Sequence, residues 1–149
     1  LNPYNNNAFG ASAYAKVGLE TGVVTTDPHG LIRMLFDATL LAIGQARNAI
    51  QARDVESKGR AISKAIKIIE EGLVVSLDNK AGNDLAANLG MLYQYMATRL
   101  LVASLKDDLS ALDEVTRLMG ELRDAWNSIG PRQGGMAAGA APSPMARAA

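Results

Sequence analysis

The sequence predicts an all-α protein, an antiparallel up-down-up-down four-helix bundle, and three observations carry that reading. Four long stretches repeat apolar side chains at the period of an α-helix. No stretch alternates apolar and polar residues as a half-buried strand does. The connections are only a few residues long, which makes consecutive helices antiparallel neighbours. Nothing repeats at a fixed longer interval, so a helical solenoid is not expected.

Residues 1–26 come first, with Asn2, Asn5, Asn6 and Asn7, three glycines and two charges, Lys16 and Glu20. They show no sustained period, and a flexible N-terminal arm is expected. The first helix opens at Asp27-Pro28, an N-cap aspartate followed by proline at N1, and runs to about Arg53. Leu31, Leu35, Ala42, Ala46 and Ala49 share one side of it, flanked by Ile32, Phe36, Ile43 and Ile50. The second helix runs from about Val55 to Leu77, with a core stripe of Ile62, Ala65, Ile66, Ile69, Leu73 and Leu77. The third runs from about Asn83 to Leu105, with Leu85, Leu89, Leu92, Met96, Leu100 and Ala103 on one face. The fourth follows the cap candidates Asp107 and Asp108, and gathers Leu112, Val115, Leu118, Met119, Leu122, Trp126 and Ile129. Residues 27–129 thus form the bundle. Residues 130–149, rich in glycine, alanine and proline, cannot offset their ordering entropy by burial and are expected to be a disordered tail.

Composition excludes several functions. Fifteen basic and fifteen acidic residues give zero net charge, against a generic polyanion or nucleic-acid binder. The basic run Lys58, Arg60, Lys64, Lys67 is interleaved with Glu56, Glu70 and Glu71, the pattern of a solvated face. There is no cysteine, hence no thiolate nucleophile or disulfide, and the single histidine builds no multi-histidine metal centre. His29 is expected at the surface in the first turn of helix one. Asp107-Asp108 and Glu70-Glu71 read as caps or solvated faces rather than acid/base pairs, and Gly134-Gly135 and Gly139 precede no helix that would make a phosphate loop. No apolar run is long enough to span a bilayer, and no signal peptide opens the chain, so a cytoplasmic protein without cofactors is expected.

Helices two and three carry more apolar surface than four helices can bury. Helix four, with Asp113, Arg117, Glu121 and Asp124 opposite its core arc, shows the ordinary pattern. Helix three has one charge, Arg99, between Leu85 and Leu105, and adds Met91, Tyr95 and Val102 on a second line, with Thr98 beside them and Leu101 on a third side. Helix two adds Ala61, Ile68 and Val75 at intervals of seven, next to Gly72. Either the core is rotated by about one position, or helices two and three form an outer groove that receives an apolar partner segment. On the second reading Ile68, Val75, Met91, Tyr95 and Val102 line the groove. The N-terminal arm would cover it in the partner's absence.

Several local patterns recur in order along the chain. Tyr14, Thr26, Pro28 and Leu31 lead into Met34-Leu35-Phe36-Asp37. Ser76-Leu77-Asp78, Gly82, Leu85-Ala86, Asn88-Leu89, Leu92-Tyr93 and Tyr95-Met96 follow, then Asp113-Glu114-Val115 and Leu122-Arg123-Asp124-Ala125-Trp126. Together they resemble the FliS family of flagellin-specific export chaperones, from about Tyr14 to Ser128. Phe36 stands where the family has tyrosine, Ala81 where a second glycine is common, and the tail after Gly130 lies outside the pattern. The resemblance implies a non-enzymatic cytosolic chaperone that binds the disordered C-terminal segment of flagellin. It would prevent premature polymerisation and assist delivery to the flagellar type III export apparatus, with Tyr14 as a removable plug of the arm. The competing reading from the residues alone is a structural homo-oligomeric bundle whose surplus apolar lines pack on its own copies. An enzyme would have to rely on carboxylates or tyrosines lacking an evident partner.

Overall fold

The computed structural model describes residues 27–77 and 83–130. The expected arm with Tyr14, residues 78–82 and the tail from residue 131 lie outside the described residues. Within them are four helices, α1 (Pro28–Gln51), α2 (Val55–Ile68), α3 (Asp84–Lys106) and α4 (Leu109–Ile129), plus a π-helical turn, Ile69–Leu73, that continues α2. No strand occurs among the described residues.

Each helix starts on a side chain that accepts an otherwise orphaned backbone N–H. Asp27 accepts from His29 N, Asp54 from Ser57 N, Asn83 from Ala86 N, and Asp108 from Ser110 N and Ala111 N. The Asp54 and Asp108 carboxyls are held below the ordinary aspartate value, Asp54 mainly by the Ser57 N–H, Asp108 mainly by the Ser110 hydroxyl and then the Ala111 N–H. Two helix ends turn on left-handed residues, Arg53 (φ 59°) after α1 and Asp107 (φ 52°) after α3. At the first, Asp54 N donates to Ala49 O at 2.9 Å and Arg53 N to Ile50 O at 3.0 Å, the bond pair of a Schellman turn. So Asp107 ends one helix and Asp108 begins the next. Asp107 also receives Lys58 Nζ at 2.8 Å, tying the α3–α4 corner to α2.

The helices form a ring in which α1 packs on α2 and α4, and α3 on α4 and α2, leaving α1–α3 and α2–α4 as diagonals. The α1–α2 contact is the most extensive. Ala42, Ala46 and Ala49 face a helix bearing Ala61 and Ala65, and such small side chains permit close approach. That closeness widens the buried arc of α2, so Ala61 and Ile68, expected outside the core stripe, belong to the core. On α3 the buried face turns toward Ala86, Tyr93 and Ala97, which leaves Leu85 exposed instead of buried. The remaining core residues expected on α4 are buried or half-buried, with Asp113, Arg117, Glu121 and Asp124 exposed opposite them.

His29 departs from expectation. It is 6% exposed and joins the first helix to the last. Its ring stacks on Trp126, centroids 4.5 Å apart and planes inclined by 13°. Trp126 Nε1 donates to the His29 carbonyl at 2.9 Å, and His29 Nε2 lies 3.0 Å from the Trp126 carbonyl. A carbonyl oxygen can only accept, so Nε2 carries the proton. That donor ties a carbonyl in the last turn of α4 to the first helix.

Candidate functional site

The surface between the end of α2 and the first half of α3 holds a recess of about 430 Å³ lined by Val74, Leu77, Ala86, Ala87, Gly90, Met91 and Gln94. Its space comes from small residues: a Cβ on Gly90 would stand 3.7 Å from the Leu77 Cδ1 atom, ordinary contact distance. No charged side chain lines it. From its rim the outward face of α3 continues through Met91, Gln94, Thr98, Leu101 and Leu105, spaced to share one side of the helix. Met91 is 65% exposed, and Leu101 and Leu105 are also exposed. The stripe from Met91 to Leu105 runs about 21 Å at about 1.5 Å per residue without a charge. An uncharged stripe bearing Met91, Leu101 and Leu105 and opening into a recess is a surface of the kind that takes part in interactions.

The five residues expected to line one groove fall in three places. Ile68 is 0% exposed in the core and contributes nothing to the surface, a consequence of the close α1–α2 approach. Val75 is half-buried beside Val74 at the end of α2, and Met91 lies on the recess rim. Tyr95 and Val102, four and eleven residues after Met91, share the outward side of α3 with it, and Tyr95 leans from there toward α4. A rotated core therefore accounts for the surplus line of helix two, and an outer apolar face for that of helix three.

The Tyr95 shoulder is held by charge. Its hydroxyl donates to Glu114 Oε2, and Arg99 Nε donates to Glu114 Oε1 at 2.7 Å. These bonds raise the Tyr95 hydroxyl above its ordinary value, hold the Glu114 carboxyl below its own, and raise Arg99. The arrangement fixes the phenol ring, which is 44% exposed, as a rigid apolar plate at the α3–α4 edge.

Periodicity did not reveal the recess lining of Val74, Ala86 and Gly90. The available signal was the pair of small residues Ala86 and Gly90, four apart on one face of a helix. A second apolar hollow, about 290 Å³, lies between α1 and α2 and is lined by Met34, Asp37, Ala38, Leu41, Ala42, Gln45 and Lys64. Its signal was the heptad spacing of Met34 and Leu41 outside the expected core arc. Among the described residues no group of three or more His, Asp or Glu side chains could hold a metal ion, and no helix is long and apolar enough to cross a membrane.

Comparison with known proteins adds the context of relatives. A family model described as "Flagellar protein FliS" matches residues 10–133. The "Flagellar secretion chaperone FliS" of Salmonella typhimurium is 45% identical over 125 residues, 84% of this chain and 93% of the relative. The protein of the same name from Escherichia coli is 45% identical over 119 residues, 80% of this chain and 88% of the relative. That of Bacillus subtilis is 36% identical over 107 residues, 72% of this chain and 78% of the relative.

Proposed function

Since the chain belongs to the FliS family of flagellar proteins, we propose that it is a flagellar secretion chaperone that binds the disordered C-terminal segment of flagellin on α3 and in the α2–α3 recess. The observation that carries this reading is the uncharged stripe from Met91 to Leu105 opening into a recess lined by Val74, Leu77 and Gly90. A disordered segment that folds as an amphipathic helix lays its apolar side chains into such a surface. Burial of those side chains would occupy flagellin's own assembly surface and so prevent premature polymerisation in the cytosol. The complex would then be delivered to the flagellar type III export apparatus. The role is binding rather than catalysis, and it needs no cofactor, nucleic acid or membrane insertion. Residues of the arm around Tyr14 would compete for the same surface in the free chaperone.

The test is capture of full-length flagellin, with flagellin lacking its C-terminal segment as the second arm. Retention of only the full-length form supports the reading, and equal retention of both removes the C-terminal segment from it. Light scattering over a range of concentrations separates this role from self-association. A monomer that becomes a one-to-one complex is expected, whereas a concentration-independent dimer that excludes flagellin would make the chain a structural homo-oligomer.

A further inference from the structure

The π turn Ile69–Leu73 sits immediately before the residues that build the recess. Its defining bond runs from Val74 N to Ile69 O at 2.8 Å, one residue longer than an α-helical bond. The turn therefore absorbs one extra residue and rotates Val74 to Leu77, which form a turn rather than more helix, away from the places an uninterrupted α-helix would give them. The sequence shows what that rotation avoids. Ser76 stands seven residues after Ile69 and fourteen after Ile62, both core residues, so an unbroken helix would place Ser76 in the core. The same helix would turn Val74 outward. In the structure Leu77 is buried instead, Val74 lines the recess, and the half-buried Ser76 hydroxyl donates to Leu73 O at 2.7 Å.

The turn also coincides with a close approach of α1. A Cβ on Gly72 would lie 3.1 and 3.3 Å from the two δ-carbons of Leu35, which is itself buried. No other described glycine meets another helix's side chain so closely. A methyl at this position would press on the Leu35 δ-carbons, so that the side chain or the turn must give by a few tenths of an ångström.

We propose that Gly72 is a positioning residue for the partner site: by seating the π turn under Leu35, it sets the register that aims Val74 and Leu77 at α3 and so shapes the recess. The binding part of this inference rests on the proposed flagellin site; the register part does not. Gly72→Ala crowds the δ-carbons of Leu35 and is expected to shift the turn, and adding Leu35→Val removes the δ-carbons and restores room.

The experiment compares the full-length chain, Gly72→Ala and the Leu35→Val/Gly72→Ala double variant in two measurements. Amide NMR of the free proteins reads the register. In Gly72→Ala the Val74, Ser76 and Leu77 signals are expected to move together with those of Ala86 and Gly90 across the recess, and in the double variant to return. Titration with a peptide of the flagellin C-terminal segment reads the site. Gly72→Ala is expected to bind about tenfold more weakly at a temperature where it is fully folded, and the double variant within about threefold of wild type. A merely structural glycine would lower the melting temperature and leave the affinity unchanged, which overturns the proposal. Unmoved signals at 74–77, or a double variant as weak as the single one, overturn it as well. If the wild-type chain does not bind the peptide, the partner assignment fails and the NMR register alone decides the role of Gly72.

Discussion

Single side chains in this bundle separate cleanly into those that hold it and those that face outward. Ile68 belongs to the first group, although its spacing with Val75 placed it on a surface line. Ile68→Asp is therefore expected to abolish cooperative folding, because a carboxylate would be buried among apolar side chains with no partner, whereas Met91→Asp should leave helicity intact. Circular dichroism of the two variants checks the contrast. Met91→Asp should instead weaken flagellin capture by about 2 kcal/mol or more, since a bound apolar segment would have to desolvate the charge. His29→Ala removes the stack on Trp126 and leaves the Trp126 carbonyl without its donor, with an expected loss of roughly 1–3 kcal/mol in urea unfolding followed by circular dichroism. The N-cap carboxylates add a pH dependence. Asp54 and Asp108 titrate below the ordinary aspartate value in the folded state, so their stabilisation is complete above the unfolded value near 3.8 and is lost as pH falls through the lower folded values. The melting temperature should therefore fall in strong acid, and by less when both are replaced by asparagine, which caps without titrating.

At the scale of elements, helix ends and core faces were largely legible and the surfaces were not. Caps can be read because their chemistry is local: Asp27 and Asp108 lie within three residues of the N–H groups they satisfy. The α4 arc could be read because a clear polar face bounds it. The α2 face was misread at Ile68 because its breadth depends on how closely α1 approaches, and that closeness arises from small residues on both helices. The π turn went unread because Leu73 and Leu77, four residues apart, carry the apolar stripe past it; its one mark is Ser76, which would fall on the core face of an unbroken helix. The role of His29 was hidden because its partner lies 97 residues away. Two substitutions of Gly90 should behave oppositely. Gly90→Ala places a methyl at ordinary contact distance from Leu77 and gives α3 a better helix former, for an expected gain of about 0.5–1 kcal/mol. Gly90→Leu should instead fill the recess and block the flagellin peptide while thermal unfolding stays cooperative. Calorimetry and a peptide titration on both variants read these outcomes.

For the whole molecule, the ring order of the helices matters more than any single contact. The proposed partner surface occupies the α2–α3 edge, and the seam that closes the ring, α4 against α1, lies opposite. A segment that docks on the first edge need not disturb the second, so occupancy and unfolding are separable events. The chain's single tryptophan is Trp126, and it lies in that closing seam, stacked on His29. Intrinsic fluorescence of this protein is accordingly a one-site optical signal. While the ring is closed, the indole is shielded from solvent and in contact with an imidazole able to quench it. Parting the first helix from the last would brighten the emission and shift it to the red, whereas docking on the far edge would leave it dark and blue. A titration with a tryptophan-free partner segment can thus be watched without a label. An unchanged spectrum on complex formation would show a carrier that receives its cargo without opening, and a red shift one that loosens to let it in.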